Sequence, residues 1–296
     1  MDKSLTPLLK SAELLANRLL GLLPDRTAVD WQAHRAAVWH GEGLDRGFAL
    51  HPDVDDIALD DLLEIDDQKA RLIANTRQFL AGHPANNALL WGARGTGKSS
   101  LIHALLNAFG DQGLRLVEVN KSQLAALPDI VGRLREEPYR FVLFCDDLSF
   151  EADDASYKVL KSALEGSIFK SSGNILIYAT SNRRHLLPET MADNEGATIQ
   201  GGELHHGEAV EEKISLSDRF GLWLAFHPFR QDAYLAVTRH WLAALARQHG
   251  TAVAWNDELR AEALRWALAR GVRNGRTAQH FARDWVGRQL LEADGD

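Results

Sequence analysis

The chain has 296 residues, 45% of them hydrophobic, enough for one large or two small domains with buried cores. Its only cysteine, Cys145, excludes a disulfide framework and a cysteine-based zinc site, and fits a reducing cytoplasm. The formal charge of −8 is concentrated in two segments: residues 51–68 hold eight acids and no Lys or Arg, and residues 189–218 hold eight acids and one Lys; the remainder is mildly basic, so net charge excludes no partner.

The N-terminal stretch MDKSLTPLLKSAELLANRLLGLLP carries Lys10, Glu13 and Arg18 inside its apolar pattern, so no uninterrupted signal-peptide core forms. Leu8, Leu15, Leu19 and Leu22 fit one face of an amphipathic helix. No run of about 18 apolar residues occurs, so no membrane insertion is expected. Residues 1–50 read as helices with loops, a helical N-terminal region. GEGLDRG (41–47) is a flexible break, and HPDVDD marks a boundary.

From there the pattern alternates. A helix over about 66–81 precedes the apolar strand NALLWG (87–92), and helix 98–109 follows. LRLVEVN (114–120) reads as a strand, 121–136 as a helix and 141–145 as a strand. A helix near 155–165 precedes strand NILIYAT (174–180); a polar loop then leads to strand FGLWLAFHP (220–228). This predicts an α/β domain over 51–229, with a mainly parallel sheet and helices on both faces. After Pro228 the strand signals stop. QDAYLAVTRHWLAALARQHG, closed by Gly250, then WNDELRAEALRWALAR and RTAQHFARDWVGRQLLE, read as three helices of a small domain over 230–296.

GARGTGKS (92–99) matches G-x-x-x-x-G-K-[ST] between an apolar strand and a helix. Gly92, Gly95 and Gly97 let the backbone turn its N–H groups toward phosphate oxygens, and the helix N-terminus favours anions. The loop candidates run from Gly92 through Ala93, Arg94, Gly95, Thr96 and Gly97 to Lys98, Ser99 and Ser100. Lys98 can reach the β- and γ-phosphates, and Ser99 can hold Mg²⁺. Strand 141–145 delivers Asp146 toward the same metal. Cys145, on that strand, reads as a buried, inert thiol. Asp147 follows directly and Glu151 four residues later; either could activate water. Strand 174–180 ends in TSNRR, where Asn182, with Ser181 second, could position that water. Arg219 in LSDRFG stands just before another strand, and Arg273 and Arg276 stand at a helix start, where a cation is unfavourable unless an anion joins it.

In this order the P-loop, acidic strand end, polar strand tip, late arginine and helical region resemble an AAA+ ATPase. The segments FLAGHPANNALLWGARGTGKSSL, FCDDLSFE, YATSNRRHLLPE, GELHHGEAVEEKISLSDRFGLWLAF and QDAYLAV resemble the bacterial AAA+ family known as domain of unknown function 815, from about residue 50 to the end. The resemblance implies a P-loop αβα sandwich with a helical lid, ATP and Mg²⁺ as ligands, and an oligomer. It implies Walker A roles for Lys98 and Ser99, Walker B for Asp146, sensor 1 for Asn182, an arginine finger for Arg219, and sensor 2 for Arg276 with Arg273 second. DDLLEID (60–66) resembles the segment around adenine, with Leu63 and Ile65 as contacts. Asp147 stands where the broad AAA+ pattern has glutamate.

His205 and His206, near Glu203 and Glu208, read as a solvated loop rather than a metal site, because adjacent residues rarely converge on one ion without a rigid scaffold. The eight tryptophans read as packing. The function expected is an oligomeric ATPase that remodels an unspecified protein or nucleic-acid client. Its rival is a nucleotide-dependent assembly switch with little or no hydrolysis. A small-molecule kinase is weaker, because it leaves the C-terminal helices and the long 188–218 loop without a role.

Overall fold

The computed structural model describes residues 29–41, 46–51, 54–150, 154–164, 173–184, 186, 198–200, 203–205 and 216–294. The N-terminal amphipathic pattern, Glu151, His206 and Glu208 lie outside these residues.

Among the described residues seven strands form one sheet: β1 (Ala36–His40), β2 (Gly47–Leu50), β3 (Ala88–Gly92), β4 (Leu114–Glu118), β5 (Arg140–Cys145), β6 (Ile175–Ser181) and β9 (Leu222–Phe226). Their spatial order is β2-β1-β4-β5-β6-β3-β9, and every pairing is parallel except β1 with β2. A second sheet pairs β7 (Thr198–Gln200) antiparallel with β8 (Glu203–His205). Helices α1 (Asp66–Leu80), α2 (Lys98–Phe109), α3 (Leu127–Leu134) and α4 (Ala155–Leu164) connect the body's strands, and a 3-10 turn spans Leu59–Asp61.

Strand periodicity divides the core. Phe141, Leu143 and Cys145 face one layer, with Leu127, Leu134 and Leu160 from α3 and α4. Val142 and Phe144 face the other, with Leu72 and Phe79 of α1 and Leu101 and Leu105 of α2. Both faces are covered, which is why these strands are nearly continuous apolar runs.

Residues 36–40 and 47–50 correct the expectation of helices with loops, because they form β1 and β2 and extend the sheet. AAVWH is too short to show a clear period by itself. Its strand character comes from pairing with β4, about 80 residues further on, and from burial of Trp39 at 0% exposure. Arg115 of β4 anchors the approach: its Nε donates to the Trp31 carbonyl at 2.6 Å, and its guanidinium lies over the Tyr139 ring. The helix expected over 121–136 is divided into a 3-10 stretch, Lys121–Ala126, and α3.

The last three helices, α5 (Gln231–Gln248), α6 (Asp257–Ala269) and α7 (Gly275–Asp294), gather a core of their own around Tyr234, Ala263 and Phe281. Leu63 and Phe229 join it from the body side. Among the described residues no helix is long and apolar enough to cross a membrane.

Candidate functional site

The P-loop leaves β3 at Gly92 and enters α2 at Lys98. Gly92 has φ 128°, and a Cβ there would come within 2.0 Å of the Phe226 carbonyl oxygen, so neither the conformation nor the space admits a side chain. The Ala93 N–H donates to that carbonyl at 3.0 Å, tying the loop to β9. The Thr96 hydroxyl donates to the Ala93 carbonyl at 2.8 Å and braces the turn from within.

Lys98 is buried. Its Nζ donates to the carbonyls of Gly92 (2.9 Å) and Ala93 (2.8 Å) and to Asn182 Oδ1 (3.3 Å). Burial lowers its pKa; Asp146 and Asp147 partly oppose the shift, while Arg276 and Arg94 add to it. Three cations, Lys98, Arg94 and Arg276, and two carboxylates, Asp146 and Asp147, thus meet at this point.

Strand register explains the acidic side. Cys145 pairs with Ala179, so Asp146 and Thr180 follow as neighbours one step further along both strands. Asp146 continues the side of Val142 and Phe144, the side of α2, and its Oδ1 accepts from the Ser99 hydroxyl at 2.7 Å and from the Thr180 hydroxyl at 2.5 Å. Alternation alone would send Asp147 to the opposite face. Its φ of 48° turns the chain back instead; its carboxylate accepts from Asn182 Nδ2, and Arg94 lies 3.7 Å away. The Asp147 N–H donates to the Thr180 hydroxyl at 2.9 Å.

Asn182 therefore touches both Lys98 and Asp147. Ser181 does not reach this site: fully buried on the other face, its hydroxyl donates to the Leu148 carbonyl at 2.7 Å. Thr180, which the sequence reading passed over, is the β6 residue in contact with both acids. Period-2 parity with Tyr178 could have found it.

A cavity of about 720 Å³ opens between this point and the helical region. It is lined by Arg94, Gly95, Thr96, Gly97, Lys98, Ser99 and Ser100, by Asp146, Asp147 and Asn182, and by Leu63 and Ile65. Arg276 reaches it from α7; Arg273 does not line it, and its carbonyl accepts from the Phe229 N–H. Trp241 of α5 packs against the helical core and also lines the cavity. Asp61 lines it too, bonded to His240 of α5 at 2.9 Å.

Arg219 is elsewhere. It precedes β9, which runs parallel to β3 with Gly92 opposite Phe226, so Arg219 lies at the end of the sheet away from the P-loop. Cys145 is fully buried, as expected of an inert thiol, and burial pushes it up to about 12.

Ser99 and Asp146 present oxygen donors 2.7 Å apart beside a cationic loop, a donor set that suits a hard, largely hydrated ion such as Mg²⁺. Among the described residues no three His, Cys, Asp or Glu gather into a metal cage.

Among solved structures the fold is similar to Aeropyrum pernix Orc1 in complex with DNA, with TM-score 0.52 and 16% identity over 81% of this chain and 63% of that one. It is also similar to a Thermotoga maritima RuvB mutant, with TM-score 0.50 and 18% identity over 78% and 64%. The chain thus spans less than two thirds of the length of either. No curated protein matches the sequence. Architecture and neighbours alike are those of the AAA+ P-loop fold, a mainly parallel αβα sandwich followed by a helical C-terminal region. A family profile described as protein of unknown function (DUF815) matches residues 32–289, and the chain belongs to that family.

Proposed function

We propose that the chain binds Mg–ATP in the cavity between sheet and lid, and hydrolyses it slowly as a homo-oligomer acting on a protein or nucleic-acid client. The observation that carries this reading is the convergence of Lys98, Ser99, Asp146 and Asn182, from three separate strand ends, on one cationic point. Lys98 holds the β- and γ-phosphates, and the loop amides between Gly92 and Ser100 surround them. Ser99 and Asp146 hold Mg²⁺, which neutralises charge on the phosphates when bound. Asp147 accepts the proton of the attacking water or orients it, and Asn182 holds Asp147 in place. Leu63 and Ile65 pack the base. Arg276, from a lid over residues 230–296, meets the phosphates from above. Arg219 serves the next subunit, where a trans-acting arginine stabilises transition-state charge. The cytoplasm is the compartment we assign.

A second reading, a nucleotide-dependent assembly switch, draws on one observation. Asp147 is already held by Asn182 and Arg94, and is one methylene shorter than the glutamate common at this place.

The test is calorimetric titration of Mg–ATP at physiological salt. Lys98→Ala is expected to abolish or severely weaken binding, since the loop keeps its amides but loses its buried ammonium. Near-parental affinity in that variant would overturn the reading. Phosphate release from the assembled parent separates ATPase from switch.

A further inference from the structure

The first residues of α7 are interlocked with the P-loop. Asn274 is buried, 7% exposed, and works in two directions. Its Oδ1 accepts from the Thr277 N–H at 2.8 Å, capping α7, while its Nδ2 donates to the Arg94 carbonyl at 2.9 Å. Two residues on, the Arg276 N–H donates to the Gly95 carbonyl at 3.3 Å. The fit is steric as well. A Cβ on Gly95 would come within 2.6 Å of Asn274 Nδ2, and one on Gly275 within 3.1 Å of the Gly95 oxygen.

Both bonds go to carbonyl oxygens of the loop. A trans peptide points its N–H opposite to its C=O. Holding the Arg94 and Gly95 carbonyls toward α7 therefore turns the N–H groups of Gly95 and Thr96 away from it. On the ATP-binding reading those amides meet phosphate oxygens.

We propose that Asn274 is a positioning residue: it orients the P-loop amides from the lid side, so that lid position and phosphate affinity are coupled through the loop itself. The proposal rests on the ATP-binding reading above, and it differs from a role for Arg276, whose side chain enters the cavity directly. When the lid withdraws, the Arg94 and Gly95 carbonyls lose both donors and the amides lose their fixed direction. A lid-docked state is then the binding-competent one, and affinity scales with its population. The Arg94 guanidinium, 3.7 Å from Asp147, is carried by the same peptide, so the contact extends to the candidate base.

The experiment separates latch from cap. Asn274→Ser and Asn274→Asp keep a good N-cap acceptor, whereas Asn274→Ala does not. The carboxylate of Asn274→Asp cannot donate to the Arg94 carbonyl, and the serine hydroxyl is too short to cap and reach it together. The apo melting temperature and the Mg–ATP dissociation constant are measured for all three. Both cap-preserving variants should melt above Asn274→Ala, having lost the Arg94 bond but not the cap, yet bind Mg–ATP about 2- to 10-fold more weakly than the parent, the worth of one hydrogen bond. Hydrogen exchange at the Arg276 amide should quicken in both. Parental affinity in Asn274→Ser, or a melting loss as large as that of Asn274→Ala, overturns the proposal and leaves the ATP reading intact. A parent that binds no ATP overturns both.

Discussion

Thr180 and Asp146 stand side by side on adjacent parallel strands, and the Thr180 hydroxyl donates to Asp146 Oδ1 while accepting from the Asp147 N–H. One hydroxyl thus orients the candidate metal carboxylate and fixes the backbone from which the candidate base departs. Thr180→Val keeps the shape and removes both bonds. Partners that orient a metal ligand are typically worth 10- to 100-fold in metal affinity or activity. The expected outcome is an apparent Mg²⁺ requirement about 10-fold or more higher, read from magnesium titrations of ATP turnover. An unchanged requirement would remove Thr180 from this role.

Asp147 and Glu151 make opposing predictions. Asp147→Asn should keep ATP binding and lose most turnover, while Glu151→Gln should lose little, as measured by steady-state phosphate release. The reverse ranking transfers the role to Glu151. The φ of 48° at Asp147 adds a further expectation. Aspartate is several-fold enriched in the left-handed region and glutamate is not. Asp147→Glu is therefore expected to give no gain in turnover despite its longer reach.

Arg219 lies too far from the P-loop of its own chain for its side chain to reach it. The five residues of β9 span about 16 Å between it and the P-loop end of the sheet, more than an arginine side chain covers. Arg219→Ala should leave ATP binding intact and reduce turnover by roughly 10³-fold if it acts in trans. Mixing supplies the decisive readout. Lys98→Ala subunits retain Arg219 and should restore part of the activity of Arg219→Ala subunits. No rescue in confirmed mixed assemblies would argue against a trans role.

Cys145 offers a test of the core. Burial, with Glu118 and Asp146 adding to it, raises the thiol from 9.0 to about 12. A pKa raised in the folded state means the unfolded chain loses that proton first, so this contribution is full below pH 9 and declines between pH 9 and 12. Parent stability should fall more steeply over that window than that of Cys145→Ala, compared by denaturant midpoints. Alkylation of the native protein at pH 8 should be negligible until the chain unfolds.

The P-loop was legible from residues alone, because G-x-x-x-x-G-K-[ST] concentrates its chemistry in eight consecutive positions between a strand and a helix. The central strands were legible for a related reason: burial on both faces turns them into continuous apolar text. The order β1-β4-β5-β6-β3-β9 was not, since sheet neighbours are chosen by packing between segments up to about 130 residues apart. Nor were β1 and β2: β1 becomes a strand against β4, and β2 against β1. At the site, sequence offered Ser181 and Asn182 as alternatives; register decided that Thr180 and Asn182 face α2 and Ser181 does not. Sequence left open whether Asp147 could face the site at all, and a single left-handed residue turned it there. It also ranked Arg276 and Arg273 on position in a helix start, whereas only docking of α7 put Arg276 in the cavity and Asn274 against Arg94. Local chemistry is written in consecutive residues. Which side chains meet across a sheet or between the sheet domain and the C-terminal helices depends on the parity and register of distant segments, and these exist only once the chain has folded.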